Sequence, residues 1–148
     1  MQKQVDVLNK VLNGEHMAID TYSTVLNKID NQILKEQLQK ILHQHKKHAM
    51  DLSERIQDIG GKIDENLVLK GWLTETSLKI QCYSNINVID ALMILYNGED
   101  KGISTTEELL KHLDEKNKEL VQTNLSEDSD HLMILEGIIS QIKGKQLH

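Results

Sequence analysis

Four places in this sequence carry side chains able to hold a metal ion or move a proton: Glu15, His45 with His48, Glu99, and Asp128 with His131. In both pairs the spacing is i, i+3, which puts the two members on one face of a helix. Carboxylate oxygens and imidazole nitrogens in combination suit Fe, Mn or Zn. Any one of these residues alone carries little weight. They do chemistry only if the chain gathers them, so the elements that hold them decide.

Each lies on an apolar seam that steps by three and four. Val5, Leu8, Leu12, Ile19, Leu26 and Ile29 define a first helix over about residues 2 to 29, and continuing the seam without a skip passes through Glu15 and Tyr22. Asp30-Asn31 supplies a turn. Leu34, Leu38, Ile41, Leu52 and Ile59 define a second helix over about 32 to 59, with His45 and His48 inside its stripe. The pair Gly60-Gly61 then provides a residue free to adopt the left-handed conformation that ends helices. Residues 62 to 86 lose the long stripe but hold a short helical pattern around Leu67, Trp72 and Leu78, as expected of a long crossover carrying its own helix. A crossover of that length lets the third helix run parallel to the second.

The third seam runs through Ile89, Leu92, Tyr96, Ile103, Thr106, Leu110 and Leu113 and includes Glu99. Asp114 to Lys118 reads as the next turn, and Val121, Leu135, Ile138 and Ile142 as the fourth helix, with Asn124, Asp128 and His131 on its seam. The halves echo one another: Leu12-Asn13-Gly14-Glu15 is matched by Tyr96-Asn97-Gly98-Glu99, and Ile19 by Ile103. A repeated helix pair joined by a crossover is the simplest account.

Counting from the turns places the polar residues at one height. With turns near residues 30 and 114, Glu15 and Glu99 each lie fifteen residues before a turn. His45 and His48 lie fifteen and eighteen after the first, and Asp128 and His131 fourteen and seventeen after the second. At about 1.5 Å rise per residue these groups share one level of an antiparallel bundle.

An isolated buried carboxylate costs several kcal/mol, so three in one core need a positive partner. A divalent cation supplies it. The competing reading is a metal-free layer in which the six groups satisfy one another and fix the register of the bundle. Register, however, needs about one polar residue per helix rather than six at one level. Tyr22 is either ordinary core or a hydrogen-bond donor to one of the carboxylates. His16, His43 and His112 sit off the seams, where solvent is expected.

The totals narrow the classes. A chain of 148 residues with no proline, eight glycines and abundant Leu, Ile, Lys, Glu and Gln suits one all-α domain over 1-148. The formal net charge of −6 and the lack of a basic patch beyond Lys46-Lys47 argue against nucleic acid. A single cysteine, Cys82, can form no internal disulfide, which favours a reducing compartment. No stretch reaches the ~18 apolar residues of a membrane span, and the opening residues are too polar for a signal peptide, so a cytoplasmic protein is expected.

With these residues together, the chain resembles the ferritin-like superfamily, and more narrowly the bacterial family designated domain of unknown function 2383. The narrower likeness rests on Gly60-Gly61, the Trp72 crossover segment and Asn97-Gly98-Glu99. It implies a four-helix bundle with a long crossover, and a protein that associates with copies of itself. Ferritin-like di-iron proteins take one Glu from each of two helices and a Glu-x-x-His from each of the other two. By that pattern Glu15 and Glu99 match the lone glutamates, His48 and His131 the histidines, and Asp128 one bridging glutamate. His45 stands where the other bridging glutamate belongs.

That departure removes one of the four carboxylates that neutralise two divalent ions. A single ion or an asymmetric pair is therefore as much to be expected as paired iron. The expected function is metal binding, with Fe first and Zn or Mn as alternatives, in a setting where iron oxidation, peroxide handling or iron carriage would be the chemistry. The alternative is a non-catalytic stress or scaffold bundle whose polar layer holds no metal.

Overall fold

The computed structural model describes residues 1–67 and 86–146. Four long helices carry the structure: α1 (Gln2–Leu26), α2 (Gln32–Asp58), α3 (Val88–Leu110) and α4 (Glu115–Gln146). No strand occurs among the described residues. The second and third helices begin on asparagine caps. The Asn31 side chain accepts from the Leu34 N–H at 2.9 Å, and Asn87 accepts from the Ile89 N–H at 2.8 Å, each satisfying a donor that the first helical turn leaves free.

α2 ends as its glycines require. Gly60 has φ +81, and the Gly61 N–H returns to the Ile56 carbonyl at 2.9 Å. A Cβ on Gly61 would stand 2.5 Å from Val5 Cγ2, so this turn packs directly on the start of α1. Buried Asn9 ties down the chain beyond it, donating to the Lys62 carbonyl at 3.0 Å and accepting from the Asp64 N–H at 2.9 Å.

Two boundaries differ from the seam reading. α1 stops at Leu26, and residues 27–29 form a turn in which the Lys28 N–H bonds the Val25 carbonyl at 2.8 Å. Ile29 is nonetheless buried, so its place on the stripe reflects packing after the helix has ended. At the other hairpin the turn is shorter than expected. Asp114 caps α4, its carboxylate accepting from the Asn117 N–H at 3.0 Å, and Glu115 to Lys118 are the first turn of the helix.

α1 packs along α2 and α3 along α4, while α1 also meets α3 and α2 meets α4. The apolar core comes in two parts. At one end Tyr22, Val25, Leu38, Ile41, Leu92, Leu95, Leu135 and Ile138 pack together. At the other, Val5, Leu8, Leu12, Leu52, Ile56, Ile103, Val121 and Leu125 do the same. The first part joins the early turns of α2 to the early turns of α3, so these two helices run parallel, as the long crossover predicts. That connection spans residues 59–87. The expected crossover helix around Trp72, together with Cys82, falls within residues 68–85, outside the described residues.

Candidate metal centre

Between the two apolar clusters lies the polar layer. Glu15, His45, His48, Glu99, Asp128 and His131 are all buried, with His131 at 0% and His48 at 1% exposure. Each helix contributes because its seam faces inward at mid-length. The structure brings all six together, at the common height that the turn counts require.

His45 lies at the centre. Its Nδ1 is 2.6 Å from Glu15 Oε2 and its Nε2 is 2.6 Å from Glu99 Oε1. An ionised carboxylate only accepts, so with both glutamates ionised each ring nitrogen must donate, an arrangement that favours the imidazolium form of His45. Burial alone would lower its pKa, but the hydrogen bonds and charges of Glu15 and Glu99 outweigh burial and raise it well above the ordinary imidazole value. The same contacts act in reverse on the glutamates. Burial would raise the Glu99 carboxyl, yet His131 and His45 bring it down to about 2, while His45 and His48 hold Glu15 below its ordinary value despite the same penalty.

His48 approaches Glu15 Oε1 at 3.3 Å through Nδ1 and Glu127 at 3.0 Å through Nε2. Its pKa is raised, because the pull of Glu15 and Glu127 exceeds the opposing effect of burial. The Tyr22 hydroxyl donates to Glu99 Oε1 at 2.7 Å, taking the hydrogen-bonding role rather than that of plain core.

Asp128 is different. Its Oδ1 faces three imidazole nitrogens, His131 Nδ1 at 3.5 Å, His48 Nδ1 at 3.7 Å and His45 Nδ1 at 3.8 Å, and makes a hydrogen bond to none of them. His131 Nδ1 is likewise without a hydrogen bond, although Glu99 Oε1 is only 3.2 Å away, off the line that such a bond needs. Burial, followed by the neighbouring Glu15 charge, raises the Asp128 carboxyl to about 7. Orphaned buried polar atoms are rare and costly, and here two of them face one another.

The donor atoms form two overlapping sets. One is Glu15, His45, His48 and Asp128, the other His45, Glu99, Asp128 and His131, and within each set the atoms lie within 4.8 Å of one another. Ligands of a first-row divalent ion stand roughly 2.0–2.2 Å from it, so donors on opposite sides of one ion are about 4 Å apart. The spacing around Asp128 Oδ1 fits that requirement, whereas the two 2.6 Å contacts of His45 are hydrogen-bond distances that would have to open for His45 to share an ion with Glu15 or Glu99.

Two partners escaped the seam reading. Gln44 hydrogen-bonds His131 Nε2, and Glu127 holds His48 Nε2. Each stands one residue before a seam position, at the edge of its stripe, where a long side chain reaches over the layer. A polar residue adjacent to a candidate ligand is the one signal that points to them. His43 and His112 are exposed as expected. His16 is half-buried instead, and burial lowers its pKa.

Helices paired in this order and joined by a long crossover have a ferritin-like fold. The crystal structure of a ferritin-like, diiron-carboxylate protein from Bacillus anthracis str. Ames has the same fold, with a TM-score of 0.68, 21% identity, and coverage of 93% of this chain and 96% of that one. Residues 3–112 match the family described as domain of unknown function (DUF2383), and the chain belongs to that family. No curated protein matches it in sequence. The family match ends at the α3–α4 hairpin, so Asp128 and His131 lie beyond it.

Proposed function

We propose that this protein binds a divalent metal, iron foremost, through Glu15, His45, His48, Glu99, Asp128 and His131. The observation that carries this reading is Asp128 Oδ1, buried, without a hydrogen bond and facing three imidazole nitrogens. A cation satisfies that oxygen and the orphaned His131 nitrogen together. The diiron-carboxylate description of the Bacillus anthracis protein supports iron as the first candidate. Bound iron would supply redox chemistry that no side chain has, as in iron oxidation or peroxide handling.

The chain's own residues would set the terms of binding. Glu15 and Glu99 offer ionised oxygens. Tyr22 and Gln44 orient Glu99 and His131, and Glu127 orients His48, the outer contacts that tune metal ligands. His45 must release a proton before it can coordinate, which makes binding dependent on pH. In keeping with this reading we place the protein, as one domain, in the reducing cytoplasm as an assembly of identical chains.

The two short His45 hydrogen bonds favour a second reading, a metal-free polar layer in a non-catalytic bundle. Elemental analysis of protein purified without added metal separates the two. The metal reading predicts stoichiometric metal that is lost in the double variant Glu99→Ala, His131→Ala. Metal-free wild-type protein that also fails to take up ferrous ion without oxygen would establish the polar layer instead.

A further inference from the structure

Between α1 and α3 a cleft of about 340 Å³ runs from the surface down to Glu15, Tyr22, His45, Glu99 and Asp128. Three of its wall positions are glycines, Gly14, Gly98 and Gly102. A mid-helix glycine costs roughly 1 kcal/mol relative to alanine. Close helix packing is the usual compensation, and the described residues do not supply it here. Among the described residues nothing lies within 4 Å of a Cβ built on any of the three. Their effect is to leave space beside the two glutamates.

The lining is mostly hydrocarbon, with Val11, Ala18, Ile94, Leu95, Ile103 and Leu109 contributing, and Lys10 and Lys101 are its cationic groups apart from His45, whose two ring nitrogens are taken up by Glu15 and Glu99. Such walls suit neither a hydrated ferrous ion, which lysines repel, nor a column of water. The floor holds Asp128, 8% exposed, whose Oδ1 lacks a hydrogen bond. The volume falls at the lower end of the roughly 300–1,000 Å³ typical of small-molecule sites, which are likewise mostly apolar with a few placed polar groups.

We infer that the α1–α3 cleft binds a small organic anion with a hydrocarbon body, its charged end at Lys10 and Lys101 and its chain directed toward the His45 layer. As the chamber of a metal centre this rests on the function proposed above, but ligand binding itself is measurable without metal. On the floor Glu15 and Glu99 already take both ring nitrogens of His45, so an anionic head has no cation to meet there and belongs at the lysines. The chain then fills the space that the glycines leave.

The test is calorimetric titration of the full chain, metal-free and metal-loaded, with octanoate and with neutral 1-octanol. Saturable one-to-one binding of octanoate is expected, with Kd below about 1 mM. Gly102→Leu, which fills the cleft, should weaken it about tenfold or more without lowering the melting temperature, since leucine is the better helix former. Lys10→Ala with Lys101→Ala should weaken octanoate about three- to fivefold and leave octanol unchanged. No binding of either probe, or binding indifferent to Gly102→Leu, overturns the inference. So does sedimentation showing that a second copy covers the cleft and excludes octanoate. Metal content measured on the same samples tests the metal reading separately, so either can fail while the other stands.

Discussion

At the scale of single residues, the polar layer combines groups with opposite pH responses. Glu99, lowered to about 2, contributes stability that is present above about pH 4.5 and lost as pH falls through about 2. His45, raised above 6.5, contributes below that pH and loses its contribution as pH rises through its folded value. Asp128, raised from 3.8 to about 7, favours the folded state most below pH 3.8 and progressively less up to about pH 7. Between about pH 4.5 and 6.5, Asp128 is therefore the one of the three whose contribution changes. Urea unfolding of metal-free protein should show stability declining across that window by an amount of order 3 kcal/mol, and Asp128→Asn should flatten the decline. An unchanged slope in the variant would remove Asp128 as its source. The second residue-scale prediction concerns His45. Replacing it with glutamate supplies a fourth carboxylate, so His45→Glu should raise the ferrous ion bound per chain above the wild-type value by elemental analysis. The six buried groups were readable in the sequence because each continues an unbroken seam. The His45 hydrogen bonds to both glutamates were not, because a seam gives the face and height of a side chain but not its rotamer.

At the scale of elements, the helix ends show where periodicity stops being informative. The α1 stripe includes Ile29 although the helix ends at Leu26, because burial continues past the last helical hydrogen bond. The charged run at Glu115 to Lys118 resembles a loop yet is the first turn of α4, because the cap at Asp114 starts a helix that its composition hides. The double glycine was legible, but the reason for its second member was not. Gly61 is required by Val5, 56 positions earlier in the chain, at contact distances of 2.5 and 2.8 Å for an added Cβ. Gly61→Val should consequently destabilise the fold by about 1–3 kcal/mol in denaturant unfolding, and combining it with Val5→Ala should recover part of the loss. A full loss that persists in the pair would point to the Ile56 carbonyl, 3.1 Å from the same position, as the limiting contact.

At the scale of the whole molecule, the layer divides the apolar core into two clusters, one at each end of the bundle. That division was implicit in the repeat of the helix pair, since Glu15 and Glu99 occupy equivalent places in it. Assembly of the four helices around one level follows from the turn counts. What one chain's pattern leaves out is which ions, and how many, settle the charge of the layer, because three carboxylates and three imidazoles can balance one another or a cation. The described helices include none long and apolar enough to cross a membrane. The most direct test of the centre is an anomalous difference map, recorded at the iron edge, from crystals of protein loaded with ferrous ion without oxygen. The account predicts a peak within about 2.0–2.3 Å of Asp128 Oδ1 and of at least one of the His45, His48 and His131 nitrogens. A map from loaded crystals with no peak inside the layer, or with its only peak on the protein surface, would contradict it.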